Sequence, residues 1–384
     1  MRDVAVIGIG QVKIDEHWDK SLRDLAGEAA FAAMVEAGVS HVDSVYVGNM
    51  LSDISNLQSQ LGSMVADWIG QRFTDAVKIE SACSSGGAAF RAGYLAVASG
   101  EVDCALVLGV EKMTDSPGSE ITTGLATAAD SDWEVDHGLS FVALNALIMK
   151  RYMYEYGWQA HDFAEFSINA HENAIHNPYA RFHMKISESS FDKSPLICDP
   201  INLLDASPIG DGAAAVILIP KDMLPANATK IIVAGSAAAT DSIAIHNRKA
   251  PLWLSAAELA TKKAYAQAGI GPEQIGVFEY HDAFTIMAAL SLETAGFAEP
   301  GQAPALAKEG DIKIGGRIPV ATLGGLKARG HPVGATGIYQ IVEVVQQLRG
   351  ETGPTQVPRN EFGMSLNIGG SGSNIVTHIF QRLI

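Results

Sequence analysis

Ser81-Ala82-Cys83-Ser84-Ser85-Gly86-Gly87-Ala88-Ala89 is the stretch on which the reading of this chain turns. The residues before it, Ala76-Val77-Lys78-Ile79-Glu80, are short and β-like. After it, Ala88 to Ala98 is rich in Ala and Leu and predicts a helix opening at or just after the cysteine. A thiol on such a strand-to-helix turn meets unpaired backbone N–H groups and the positive end of the helix dipole, and both favour the thiolate. The small pairs Ser84-Ser85 and Gly86-Gly87 allow a second backbone or a substrate to approach closely. On this segment alone, a buried structural cysteine fits equally well.

A second segment tips that balance. Gly324-Gly325-Leu326-Lys327-Ala328-Arg329-Gly330-His331-Pro332-Val333-Gly334-Ala335-Thr336-Gly337 runs into a helical stretch, Ile338 to Leu348, so His331 also sits on a Gly-rich turn before a helix. A lone histidine there reads as a structural hydrogen-bonder. A cysteine and a histidine at equivalent positions of two halves of one fold read instead as a nucleophile and its activator.

The halves are visible as an ordered repeat. Val4-Ala5-Val6-Ile7-Gly8 and Ile231-Ile232-Val233-Ala234-Gly235 open the two copies as apolar strands. Asp24 to Ala30, Glu36-Ala37-Gly38-Val39 and Val42 to Asn49 are then echoed by Ala256 to Ala260, Gln267-Ala268-Gly269-Ile270 and Ile275 to His281, with Asn49 opposite His281. This pattern predicts a duplicated α/β unit with helices on both faces of buried strands. Residues 1 to about 225 form the first half and 226–384 the second. From 113 to about 200 the chain leaves the repeat and reads as an inserted, lid-like loop domain. For its histidines (His137, His161, His171, His176 and His183) the structural reading leads, because His171 and His176 are five apart, a poor spacing for a metal on one helix face.

These motifs resemble the thiolase superfamily, over essentially the whole chain. The Cys83 turn, the Gly330-His331-Pro332 turn and Asp205-Ala206-Ser207-Pro208-Ile209-Gly210-Asp211-Gly212-Ala213-Ala214-Ala215 are thiolase-like and in thiolase order. Tyr280-His281-Asp282-Ala283-Phe284 resembles the family's Asn-Glu-Ala-Phe loop, with His-Asp in place of Asn-Glu. Asn367-Ile368-Gly369-Gly370-Ser371-Gly372 resembles its last glycine-rich loop. The His-Asp version is most similar to archaeal acetoacetyl-CoA thiolases and sterol-carrier-type thiolases. The resemblance implies a five-layer αβαβα fold in which the insertion covers the acyl-CoA and His137 to Phe141 faces the pantetheine channel.

It also implies a chemistry, an acyltransferase making or splitting acetoacetyl-CoA through an acyl-cysteine. Cys83 is the expected nucleophile and His331 its base. Backbone donors of Cys83 and Gly369 are the expected oxyanion hole, with Gly370, Asn367 and Phe284 beside the substrate. Asn367 stands where typical thiolases carry a second cysteine, the condensation base. The sterol-carrier branch supplies that cysteine at the position of Ala283, and neither Cys104 nor Cys198 falls in a motif. Proton abstraction from the second acetyl group is therefore expected of His281, with His331 or a bound water as alternatives. The archaeal resemblance further implies a homodimer or dimer of dimers. It also implies a complex with hydroxymethylglutaryl-CoA synthase through an OB-fold zinc scaffold protein, which feeds isoprenoid synthesis by the mevalonate route. Two alternatives remain: a thiolase-fold acyl-CoA binding or assembly subunit, and a thiolase-like carbon–carbon lyase.

Composition narrows the classes. A chain of 384 residues, 47% hydrophobic, buries a large core, and its net charge of −16 argues against nucleic acid as a partner. A coenzyme A ligand then calls for local basic groups, for which Lys327 and Arg329 are candidates alongside a plain surface role. The three cysteines, Cys83, Cys104 and Cys198, form neither a disulfide framework nor a metal cluster. No signal peptide and no apolar run of about 20 residues is visible. The expectation is a cytoplasmic, membrane-free protein with no metal and no cofactor beyond the coenzyme A thioester it acts on.

Overall fold

The computed structural model describes residues 1–225 and 229–383. The boundary expected at 225/226 abuts residues 226–228, which lie outside the described residues. The first half runs β1 (Val4–Gln11), α1 (Leu22–Ala37), β2 (Ser44–Gly48), α2 (Ser52–Ser55), α3 (Leu61–Trp68), β3 (Asp75–Ile79), α4 (Ser85–Ser99) and β4 (Ala105–Glu111). An excursion follows through α5 (Gly118–Ala126), α6 (Phe141–Tyr156), α7 (Ala164–Ala174), α8 (Glu188–Asp192) and a short hairpin, β5 (Leu196–Cys198) with β6 (Ile201–Asn202). The chain returns to the half-sheet as β7 (Gly212–Pro220). The second half runs β8 (Lys230–Thr240), α9 (Ser255–Ala268), β9 (Val277–Glu279), α10 (Thr285–Thr294), α11 (Ala303–Lys308), α12 (Thr336–Arg349), β10 (Phe362–Gly369) and β11 (Asn374–Leu383).

Local chemistry sets the boundaries. Helix α1 starts where Ser21 and Asp24 cap each other's backbone N–H groups, and it stops at Gly38, whose φ of 67° suits a residue without a Cβ. Strand β7 is apolar throughout and buried at every position, the signature of a strand covered on both faces.

The strands order as β3-β2-β4-β7-β1-β8-β11-β10-β9 in a single nine-stranded sheet. It is two half-sheets joined by the β1–β8 pair, through Ala5 opposite Ile232 and Val6 opposite Ile231. The repeat expected from the sequence is present: β1, α1, β2, α4 and β4 in one half correspond to β8, α9, β9, α12 and β10 in the other. Where the first half has β3, the second has, among the described residues, only a parallel bridge between Phe278 and Val320.

Helices α4 and α12 lie between the half-sheets. Phe90 and Val97 from one join Ile338, Ile341 and Val345 from the other in a core shared with β1, β4, β7 and β8. Helices α1 and α3 cover the outer face of the first half, and α9 packs on β8 and β11. The five αβαβα layers result. Glycine makes the central crossing possible: a Cβ on Gly86 would lie 2.9 Å from the Gly334 carbonyl oxygen and 3.0 Å from the Ile338 nitrogen. Both functional turns therefore open onto one place, between the helices' N-termini. Cys104 is half-buried just before β4 and packs against the outer core of the first half.

Candidate active site

Strand β3 ends at Ile79 and α4 begins at Ser85, so five residues must reverse the chain. Ala82 does so in the left-handed region, φ 48°, a costly conformation for a residue with a side chain. The turn is held by its own serines. Ser85 Oγ accepts from the Ser81 N–H at 2.8 Å and donates to the Ala82 carbonyl at 2.6 Å, while Ser84 Oγ donates to the Ser81 carbonyl at 2.6 Å. Cys83 is thereby pushed inward, 2% exposed, among Met50, Leu51, Met113, Ile121, Ala128 and Val333.

His331 is delivered by a turn that only glycine permits. Gly330 has φ 112°, and a Cβ on it would meet Ile14 Cγ2 at 2.6 Å. The His331 N–H donates to the Pro208 carbonyl at 3.1 Å, and ring Nδ1 lies 2.7 Å from Thr336 Oγ1. His281 follows β9, with its ring T-shaped to that of His331 at a centroid separation of 5.2 Å. A ring nitrogen of each histidine and Cys83 Sγ all lie within 4.8 Å of one another, and all three residues are buried. The structure thus brings together three residues separated by up to 248 positions in sequence, the spacing from Cys83 to His331.

The remaining expected site residues gather around them. Asn367, at the end of β10, donates from Nδ2 to the Cys83 carbonyl and contacts His281 Nδ1, each at 3.2 Å, while its Oδ1 accepts from the Gly87 N–H at 3.2 Å. Gly369 lies against the nucleophile turn so closely that a Cβ would be 2.5 Å from the Ser81 carbonyl oxygen. Gly370 adopts φ 58° beside Ala128. Phe284, 6% exposed, packs on Phe141 from the insertion, with ring centroids 5.9 Å apart.

Electrostatics differ from the sequence expectation at the thiol. Burial, reinforced by the Glu111 carboxylate, pushes Cys83 up to about 12, so the resting group is the protonated thiol and not a thiolate favoured by the helix terminus. Burial in an apolar pocket outweighs the partial charge of the helix end. The histidines move the other way: burial and Arg329 pull His281 down to about 3. Burial, His281 and Arg329 hold His331 well below its usual range. Both imidazoles are neutral at physiological pH, which a proton acceptor requires.

Lys327 and Arg329 are neither phosphate contacts nor surface charges. They are 2% and 0% exposed and face inward behind the histidines. Arg329 pairs with the fully buried Glu343 and stacks over Tyr339 at 5.2 Å, and Lys327 Nζ donates to the Asp205 carbonyl at 2.5 Å. Glu279, Asp205 and Asp282 complete a buried charge network. Glu279 accepts from Thr322 N–H at 2.8 Å and its hydroxyl at 2.6 Å, and Asp282 accepts from Leu326 N–H at 2.8 Å. Inside the protein the two cations face the carboxyls of Glu343 in α12, Glu279 at the end of β9, Asp205 and Asp282.

Two supports escaped the sequence reading. Glu111 accepts from Met50 N–H, Leu51 N–H, Gly334 N–H and Asn49 Nδ2 at 2.8–3.0 Å, tying the His331 segment to the first half. A glutamate ending an otherwise apolar strand was the available signal. Asn49, opposite His281 in the repeat, is consumed by this brace. Asn169, Asn173 and Asn177 follow one another every fourth residue along α7 and its end. They donate to the carbonyls of Val320, Ala321 and Leu323 at 2.8–3.1 Å. The insertion therefore also holds the segment leading to His331. Its histidines have structural or surface places: His171 bonds the Met184 carbonyl at 3.1 Å, His183 that of Asn177 at 2.7 Å, and His137 and His176 are exposed.

Comparison with known proteins gives the family. Residues 4–222 match the thiolase N-terminal domain and residues 237–382 the thiolase C-terminal domain-like family. The chain is 45% identical to an acetyl-CoA acetyltransferase of Methanothermobacter thermautotrophicus, covering 100% of both chains. It is 30% identical to sterol carrier protein 2 of Bos taurus over 97% of this chain and 71% of that protein. Among solved structures, the Ltp2-ChsH2(DUF35) aldolase superposes with a TM-score of 0.86 at 23% identity, covering 99% of this chain and 98% of that one. The acetyl-CoA acetyltransferase of Syntrophomonas wolfei does so with 0.77 at 19% identity over 100% of both. With both halves matched in order and the paired turns meeting at one buried site, the chain belongs to the thiolase family of acyltransferases.

Proposed function

We propose that this protein is an acetyl-CoA C-acetyltransferase, an acetoacetyl-CoA thiolase working through a covalent acyl-cysteine. The observation that carries the reading is the convergence of Cys83, His281 and His331 within 4.8 Å in a small apolar cluster. A neutral His331 takes the proton of a thiol otherwise too weakly acidic to react. The sulfur attacks the thioester carbonyl, and the histidine returns the proton to the departing coenzyme A thiolate. Backbone donors of the Cys83 turn and of the Gly369-Gly370 loop serve the oxyanion, each such donor being worth about 2.7–4 kcal/mol in comparable enzymes.

For coenzyme A we propose the groove of about 310 Å³ lined by Trp133, Leu139, Leu147, Arg151, His246 and Leu252. Leu139 leads directly to Phe141 in the apolar cluster at the thiol, and Arg248 in the same groove donates to the Ser371 carbonyl at 2.6 Å. Exposed Arg151 and Lys249, rather than Lys327 or Arg329, are the cations available to phosphates. Mixing the protein with acetyl-CoA should add one acetyl group to the intact mass, located on Cys83 and absent in Cys83→Ala. Acetylation elsewhere, or none, would remove the covalent mechanism.

One observation favours a second reading, an acyl-CoA binding or assembly subunit or a lyase. Among the described residues, no cysteine other than Cys83 lies in the site, and the position of the usual second one is Asn367. Acetylation of Cys83 without any acetoacetyl-CoA would decide for it.

Assembly belongs to the same proposal. Strand β3 is a sheet edge, and Phe73 just before it and Val77 within it expose apolar surface, Phe73 with φ 69°. An open edge of this kind invites pairing with a second copy. Light scattering should give a homodimer or a dimer of dimers, and a monomer at working concentration would overturn this. The 45% identity to an archaeal acetyl-CoA acetyltransferase is consistent with the further expectation of hydroxymethylglutaryl-CoA synthase, an OB-fold zinc scaffold and the mevalonate route. Among the described residues no helix is long and apolar enough to cross a membrane, and a cytoplasmic location is part of the proposal.

A further inference from the structure

The amide of Asn367 is held in one orientation. Its Oδ1 accepts from the Gly87 N–H at 3.2 Å, which only an oxygen can do, so Nδ2 is the atom facing the Cys83 carbonyl and His281 Nδ1. Those two contacts use both hydrogens of Nδ2, and an NH₂ group donates without accepting. His281 Nδ1 must therefore keep its lone pair for the amide. A neutral imidazole with an unprotonated Nδ1 carries its hydrogen on Nε2. Burial and the nearby Arg329 keep the ring neutral, in keeping with that tautomer. Nothing else holds Asn367 there by accident: it is 1% exposed, and Gly337 and Gly87 leave it room that a Cβ on Gly337, 2.2 Å from Oδ1, would remove.

We propose that Asn367 is a positioning residue that sets the tautomer of His281, so that His281 enters the reaction as a hydrogen-bond donor and His331 takes the proton of the second acetyl thioester. This rests on the thiolase reading above. It departs from the expectation that His281 is the condensation base, because the only ring nitrogen His281 leaves free already bears a hydrogen. His331 can take the opposite tautomer: Thr336 Oγ1, 2.7 Å from its Nδ1, is a hydroxyl that can accept an Nδ1 hydrogen and so leave the lone pair on Nε2.

The proton count closes without a second cysteine. After the first half-reaction His331 is neutral, having passed the thiol proton to coenzyme A. A C–H bond of the incoming acetyl methyl breaks and its proton moves to His331 Nε2, while His281 Nε2–H stabilises the enolate oxygen. The enolate carbon then attacks the acyl carbonyl on Cys83. The carbon–carbon bond forms, the carbon–sulfur bond breaks, and the Cys83 thiolate recovers its proton from His331. Asparagine can stand at the cysteine position because the base has moved to His331.

The test reads the tautomer directly in the full-length protein, with ring-¹⁵N histidine and no substrate. His281 should show a protonated Nε2 and an unprotonated Nδ1. In Asn367→Asp the carboxylate accepts rather than donates, so the His281 proton should move to Nδ1. The ratio of acetoacetyl-CoA formation to acetyl exchange with coenzyme A should fall by roughly 10²–10³, the range for losing one oxyanion donor. A wild-type His281 protonated on Nδ1, an unchanged tautomer in Asn367→Asp, or an equal fall in both activities would each overturn the proposal. Should the variant fail to fold, the wild-type spectrum decides alone. The spectrum is independent of turnover, so a correct tautomer in a protein that never acetylates Cys83 would sink the thiolase reading and leave the Asn367 contact standing.

Discussion

His331→Ala is expected to slow acetyl transfer from acetyl-CoA to Cys83 by roughly 10²–10⁴ at neutral pH. The size follows from the thiol: at about 12, Cys83 is almost wholly protonated in the free site, and no other neutral ring nitrogen beside it is free to accept. The pH profile gives the sharper signature. In the wild type burial holds His331 well below its usual range, so it is a neutral acceptor at neutral and alkaline pH and acetylation should be nearly flat between about pH 7 and 9. In the variant the proton must leave to solvent, and the thiolate fraction of a group far below its pKa rises about tenfold per pH unit. Stopped-flow mixing followed by mass measurement would show this. A flat profile in the variant, or near-normal acetylation, would take His331 out of the role.

Arg329→Ala should destabilise the fold by about 3–5 kcal/mol, the usual cost of leaving one half of a buried ion pair alone. The carboxyls of Glu343 and Glu279 are 0% and 1% exposed; burial pushes both up, Glu279 to about 7, and Arg329 is the cation that opposes this at both. Arg329 also stacks on Tyr339, so the alanine loses packing as well as charge. Urea denaturation monitored by tryptophan fluorescence measures the loss. Replacing the pair together, Arg329→Met with Glu343→Leu, should recover much of it, because an apolar pair of similar volume needs no desolvation. A cost below about 1 kcal/mol for the single change would mean that the buried carboxylates are neutral and the network is held by hydrogen bonds.

Much of this was legible in the chain because it is local. The β-like run into Ser81–Ser85 and the glycines around His331 announce sharp turns before helices, whatever the rest of the fold does. Strand and helix periodicity repeated in order is enough to read a duplication. Two local features still resisted. Among the described residues the second half lacks a full counterpart of β3, since Val320 makes only a bridge to Phe278, and no residue pattern marks that shortfall. Asn169, Asn173 and Asn177 are spaced for one helix face, but their targets at 320–323 are about 150 positions away.

By itself, then, the sequence determined the repeat, the layers and the two turns that present Cys83 and His331, because strand and helix periods and glycine conformations act over a few residues. Tertiary structure alone decided which groups those turns meet and in what state. Lys327 and Arg329 look like surface charges until four carboxylates are found facing them in the interior. The thiol at a helix N-terminus looks activated until burial and Glu111 raise it instead. Asn367 looks like a lost base until its amide is seen between Gly87, the Cys83 carbonyl and His281, residues up to 284 positions apart. Each of these depends on desolvation and on pairing at long range, and both are properties of the packed interior that no short stretch of residues can specify.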